Sequence, residues 1–340
     1  MNNIITPKIL FAGNEDKHNR KQHYRDPLTN WPMRGLAFTN DVGAAIMDIA
    51  PALGTALWVP ALMYFGADIY DKYKNDKQSY DPSARRGLKQ AAFQAFASIF
   101  FPIATVHIGQ KTASRIGEFL GKKKVSLQTQ EAIINHHIEY MSNKKLQPSQ
   151  DHVEEYKDLY KKRLNNYIDE KARLNKTKNP LKLLINLLFA TNHYESPTQK
   201  RKAHIFEFAN ERIDELFETR AKLMAGEKPE NMSEKLFKKF NIKKAAYAKT
   251  AEDMDDATQM AAKDILKQIE NNKIFKIKLK KSLGGFVALA LLIKPIDKFV
   301  ENIIIKKIVE PGLNKIQRNQ VEEMKDKFIP HEELANKTVV

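Results

Sequence analysis

An all-α fold, part of it embedded in a membrane, is what this sequence predicts, and three observations carry the prediction. The chain runs nineteen residues without a charge between Asp48 and Asp68, and twenty-one more between Lys89 and Lys111. Each run is about the length a helix needs to cross a bilayer core roughly 30 Å thick. The third observation is that apolar residues elsewhere recur at steps of three and four, the period of a helix with one buried stripe. An exposed apolar helix satisfies its own backbone hydrogen bonds in lipid, which an irregular segment cannot do. Small residues and the prolines Pro51, Pro60 and Pro102 keep open the alternative of buried helices in a soluble domain. Proline is nonetheless more frequent in membrane helices than in soluble ones.

The expected elements follow in order. Residues 1–32 read as a polar arm ending at Trp31-Pro32. Its basic residues are mixed with Glu15, Asp16 and Asp26, and it lacks the continuous apolar stretch of a secretory signal. The first helix is expected to start after Thr39, Asn40 or Asp41, any of which can cap it by accepting a hydrogen bond from a free backbone N–H. Residues 33–120 then form the first part of the membrane core, with two transmembrane helices. Residues 68–88 are the polar loop between them, and Asp81-Pro82-Ser83 reads as the turn that opens the second. Trp58, Tyr64, Tyr70 and Tyr73 suit an aromatic belt at the interface.

Residues 121–281 are dense in charge and read as an inserted basic helical domain. Val153, Tyr156, Tyr160, Leu164 and Tyr167 make one apolar stripe, and Phe206, Ala209, Ile213 and Leu216 another. Leu236 with Phe240, and Ile265 with Ile269, suggest further helices set off by the break Gly226-Glu-Lys-Pro229. Residues 282–312 form the second part of the core, in which only twelve uncharged residues precede Lys294. That is short for a crossing, so the core is expected to hold two to three transmembrane helices. Residues 313–340 are a polar tail.

Composition narrows the function classes. The chain of 340 residues carries a net charge of +16, has a mean hydropathy of −0.52 and contains no cysteine. Thiolate metal sites, disulfides and cysteine nucleophiles are therefore excluded. The positive charge suits anionic lipid or nucleic acid, and Lys273, Lys276, Lys278, Lys280 and Lys281, placed just before the third apolar run, favour lipid headgroups. No phosphate loop, dinucleotide glycine pattern or nucleophile elbow is present. No two histidines flank a glutamate at zinc-hydrolase spacing, and His136 and His137, being adjacent, are expected to point in different directions. No catalytic, cofactor or metal site is expected.

Polar residues at the edges of the apolar runs carry a likeness to a known family. Arg34-Gly-Leu-Ala-Phe-Thr-Asn40-Asp41-Val42-Gly43 resembles the opening "RYLGYANEVGE" of the mitochondrial fission process protein family, small integral proteins of the mitochondrial inner membrane. Ala67-Asp68-Ile69-Tyr70-Asp71-Lys72 resembles its "ADAIDK", and Phe93-Gln94-Ala95-Phe96-Ala97-Ser98 followed by Pro102 is similar to "WQALASVAIP". Pro295-Ile296-Asp297-Lys298 matches "HPIDR", with Lys294 in place of the histidine. The likeness covers residues 33–120 and 278–312 and leaves about 160 residues between the second and third apolar runs without a counterpart.

The resemblance implies a non-enzymatic protein of the inner membrane, or of the cytoplasmic membrane if the source is bacterial. Its implied role is membrane division or integrity through binding lipid, including anionic lipid, or a protein partner that docks on the polar domain. Two rivals remain at this stage. A small transporter would use Asp48, Gln94, His107 and Asp297 as a polar path, and a soluble nucleic-acid binder would use the net charge. Asp297 is expected to be structural, paired with Arg34 or Lys298.

Overall fold

The computed structural model describes residues 28, 30, 32–75, 80–120, 124–143, 152–175, 179–180 and 198–328. The described residues are helical with no strand. The polar arm, apart from three residues, and the end of the tail lie outside them.

Two short helices, α1 (Met33–Leu36) and α2 (Thr39–Ile46), lead into α3 (Pro51–Ala56) and α4 (Trp58–Lys74). Proline opens α3 at a position whose N–H has no intrahelical partner in any case. The next helix is continuous from α5 (Ala84–Phe93) through a π-helical segment, π1 (Gln94–Phe100), into α6 (Phe101–Phe119). Ser83 caps it by accepting from the Arg86 N–H, as the Asp81-Pro82-Ser83 turn predicts. The stretches Pro51–Lys74 and Ala84–Glu118 are long and apolar enough to cross a membrane.

The polar region builds α7 (Leu127–Asn143), α8 (Val153–Asn175), α9 (Gln199–Met224) and α10 (Glu234–Tyr247). The stripes foreseen on α8 and α9 meet: Tyr156, Tyr160, Leu164, Ala209, Ile213 and Leu216 share one buried cluster. Gly226, with φ +77°, turns the chain after α9, where only glycine enters a left-handed conformation without strain. Phe240 and Ile265 anchor a second cluster.

One long helix joins the two regions. α11 (Met254–Phe299) continues as π2 (Val300–Val309) and α12 (Glu310–Phe328). Its first half packs in the polar bundle and its second half packs on α2 and α6. The boundary expected at residues 281/282 thus falls in mid-helix, and the polar region shares its last helix with the apolar core.

Glycines set the closest approach. A Cβ added at Gly284 would sit 2.3 Å from the Ala113 Cβ and 2.7 Å from the Gly109 carbonyl oxygen. One added at Gly109 would sit 2.5 Å from the Gly284 carbonyl oxygen. Helices α6 and α11 therefore touch backbone to backbone through Gly109 and Ala113 on one side and Gly284 and Ala288 on the other. Small residues four apart allow this approach.

Gly284→Ala should cost about 1 to 3 kcal/mol, because the methyl forces two backbones apart. Gly66 has open space around it, so Gly66→Ala should gain up to about 1 kcal/mol of helix propensity. Opposite shifts of the thermal midpoint in detergent check the pair, and equal shifts would contradict the close crossing.

Candidate functional site

Four of the residues quoted for the family resemblance, Asn40, Asp68, Gln94 and Ser98, assemble into one row. Asp68, at the end of the first apolar helix, accepts from the Gln90 and Gln94 carboxamides, the latter at 2.5 Å. The Gln94 Oε1 accepts from the Ser98 hydroxyl at 2.6 Å. The backbone carbonyl of Ser98 accepts from the Asn40 Nδ2. Asn40, Asp68 and Gln94 are buried.

Proline chemistry explains the last link. In a regular α-helix the Ser98 carbonyl would pair with the N–H four residues on, which is Pro102 and has none. The backbone widens instead into π1, where the Phe101 N–H reaches Phe96 five residues back, and the Asn40 carboxamide satisfies the Ser98 oxygen. The row thus ties α2, α4 and π1 together through hydrogen bonds that are buried or part-buried, where an unpaired partner is costly.

One expectation is corrected here. Asn40 and Asp41 do not cap the first helix: α2 begins at Thr39 after Phe38 with no side-chain cap, and both residues face inward from it. A cap must precede the first turn, and these two already belong to it. Asp297 is exposed on α11, and it lies near enough to Asp41 to act on it electrostatically. Its expected pairing with Arg34 falls on a side chain outside the described residues. Pro295 does not interrupt α11; the helix widens five residues later into π2.

The other quoted residues are placed as follows. Gly43 packs against Gly54, where an added Cβ would meet the Gly54 oxygen at 2.6 Å. Asp71 accepts from Asn75 at 3.0 Å and sits 3.5 Å from the Lys72 ammonium. Lys298 is exposed one turn after Lys294.

A second cluster joins core to bundle. The Lys281 ammonium is buried, 2.7 Å from Glu131 on α7 and 3.4 Å from Asp48 at the end of α2. His107 lines a small cleft beside it with Gln110, Lys111 and Gln128. The four polar-path residues therefore fall in three places. Asp48 and His107 lie at the Lys281 junction, Gln94 in the buried row and Asp297 beside Asp41. Three side chains of the row, Gln90, Gln94 and Asn40, are carboxamides, which relay protons poorly.

The lysine cluster is likewise divided by helical period. Lys273 pairs with Glu215 at 2.8 Å, and Lys278 and Lys281 face Glu131. Lys276 and Lys280 are exposed.

The third cluster lies within the bundle, and sequence reading passed it over. The Arg212 guanidinium, nearly buried, pairs with the fully buried Glu270 across α9 and α11. Burial raises the Glu270 pKa, against the pull of Arg212. His137 Nε2 lies 3.0 Å from the Tyr156 hydroxyl, and His136 Nδ1 lies 3.2 Å from that of Tyr160, which donates to the Ile133 carbonyl.

The adjacent histidines thus reach the same neighbour, because Tyr156 and Tyr160 stand one turn apart on α8 and span their 100° separation. Burial pushes the His137 pKa down to about 3, with Arg212 and then His136 adding to the effect. A glutamate and an arginine at inward positions of the α9 and α11 patterns were the available signal. No group of three metal-ligating side chains occurs among the described residues.

A scan against protein-family models finds no match, and neither does a search of the curated proteins or of the solved structures.

Proposed function

We propose that this chain is a non-enzymatic integral membrane protein akin to the mitochondrial fission process proteins, acting in membrane shaping or division by binding lipid or a protein partner. The observation that carries the reading is the apolar surface the fold leaves uncovered. Only 22% of the most apolar stretch of Pro51–Lys74 and 33% of that of Ala84–Glu118 is buried, whereas the core helix of a soluble domain is buried over most of its length.

The uncovered side chains align. On α11, Phe275, Leu279, Leu283, Val287 and Leu291 recur every four residues and each is at least half exposed. Leu53, Val59, Leu62 and Met63 of α3 and α4 are also at least half exposed. An apolar surface running along several helices marks contact with lipid or another protein. The buried row supports the likeness from a second direction, since Asn40, Asp68, Gln94, Ser98 and Pro102 come from three separate quoted motifs.

Carbonate extraction of membranes from cells expressing the full chain tests the reading. The protein is expected in the pellet with integral markers. Recovery in the supernatant would overturn it and favour a soluble, basic helical protein.

A further inference from the structure

Lys276 and Lys280 are the part of the basic cluster that the fold does not use. They stand one turn apart on α11, both exposed, and neither has an ion-pair partner among the described residues. Lys280 lines a cleft of about 220 Å³ whose other walls are Ala113, Ser114 and Gly117 of α6 and Val125 and Leu127 at the start of α7. The cleft wall is mostly apolar. Leu279 and Leu283 of the exposed stripe flank Lys280 along the same helix.

Two cations one turn apart, one lining an apolar cleft and both flanked along the helix by an exposed apolar stripe, complement one chemistry. A lipid places an anionic phosphate at the membrane surface and its chains beneath it. Resting on the membrane reading above, we infer that this cleft seats the headgroup of an anionic phospholipid. Lys276 and Lys280 hold the phosphate oxygens, and the acyl chains lie along the stripe from Leu279 to Leu291. Lysine meets a phosphate as a point charge with three donors, so two lysines on one face suit a mobile headgroup. The inward lysines Lys273 and Lys281 are neutralised by Glu215, Glu131 and Asp48 and take no part.

The test uses the full chain in mild detergent, titrated with phosphatidylglycerol or phosphatidylcholine, with bound lipid counted by native mass spectrometry. The wild type should retain phosphatidylglycerol in preference. Lys276→Gln with Lys280→Gln should weaken that retention roughly thirtyfold, since each lysine near an anionic surface carries about a fivefold effect.

Lys263→Gln with Lys267→Gln changes the charge equally, at the same spacing on the same helix, at exposed positions in the polar bundle. It should leave retention unchanged. Equal losses for the two pairs, no loss for the first, or no preference between the lipids would each overturn the site. Carbonate extraction of the same proteins separates the failures. Wild type in the pellet with no lipid preference removes this inference alone, whereas wild type in the supernatant removes the membrane reading and the site with it.

Discussion

Glu270→Ala should lower the unfolding free energy of the helical bundle by about 3 to 5 kcal/mol. The side chain of Glu270 is fully buried and that of Arg212 nearly so, so truncating the glutamate strands a guanidinium in a site closed to water. Glu215 also accepts from Arg212, but it is partly exposed and shares its charge with Lys273. It therefore compensates only part of the loss. The pair is costly to break without being a strong source of stability, because burying both charges cancels most of their attraction.

Joint replacement by Arg212→Met and Glu270→Leu should accordingly be neutral or stabilising by about 1 to 4 kcal/mol. Glu218 pairs with Lys222 at the surface, and Glu218→Ala should cost less than about 1 kcal/mol. Urea unfolding followed by circular dichroism measures all three. A Glu270→Ala protein as stable as Glu218→Ala would show that water reaches the pair.

Much of the architecture was legible because periodicity and charge spacing report on burial directly. The uncharged runs from Ile49 and from Gln90 became the two long apolar helices, and the tyrosine stripe of α8 met the Ile213 stripe of α9. What sequence could not give was the partner of each polar side chain. Asn40 and Asp41 read as caps because that residue type before an apolar run usually caps. The role of Asn40 depended on Pro102, far along the chain, leaving the Ser98 carbonyl open. Lys281 read as a headgroup contact like its neighbours, yet the helical period turns it toward Glu131 and Asp48. Arg212 and Glu270 lie 58 residues apart, and each alone looks like one more charge on a polar helix. Gly109 and Gly284 carry no chemistry, so only the observed backbone crossing reveals why small residues stand there.

Acid should weaken the bundle through His137, and the effect begins near neutrality. Burial holds the folded pKa down to about 3, whereas the unfolded chain takes up a proton at about 6.5. The unfolded state therefore binds more protons than the fold throughout the interval between these values. Stability is fully present above about pH 6.5. It falls by about 1.4 kcal/mol per pH unit as the pH drops, approaching roughly 4 to 5 kcal/mol near pH 3.

His136, whose pKa burial also lowers, acts in the same direction. Glu270 acts in the opposite one, because its raised pKa lets the fold take up a proton before the unfolded chain does. The histidine contribution is thus isolated by difference. His137→Gln should lose about 1 kcal/mol at pH 7 with the Tyr156 contact, yet decline between pH 6.5 and pH 5 by about 2 kcal/mol less than the wild type. Parallel declines in urea titrations at the two pH values would mean that His137 takes up its proton in the folded state, and so that the space between α7, α8 and α9 admits water.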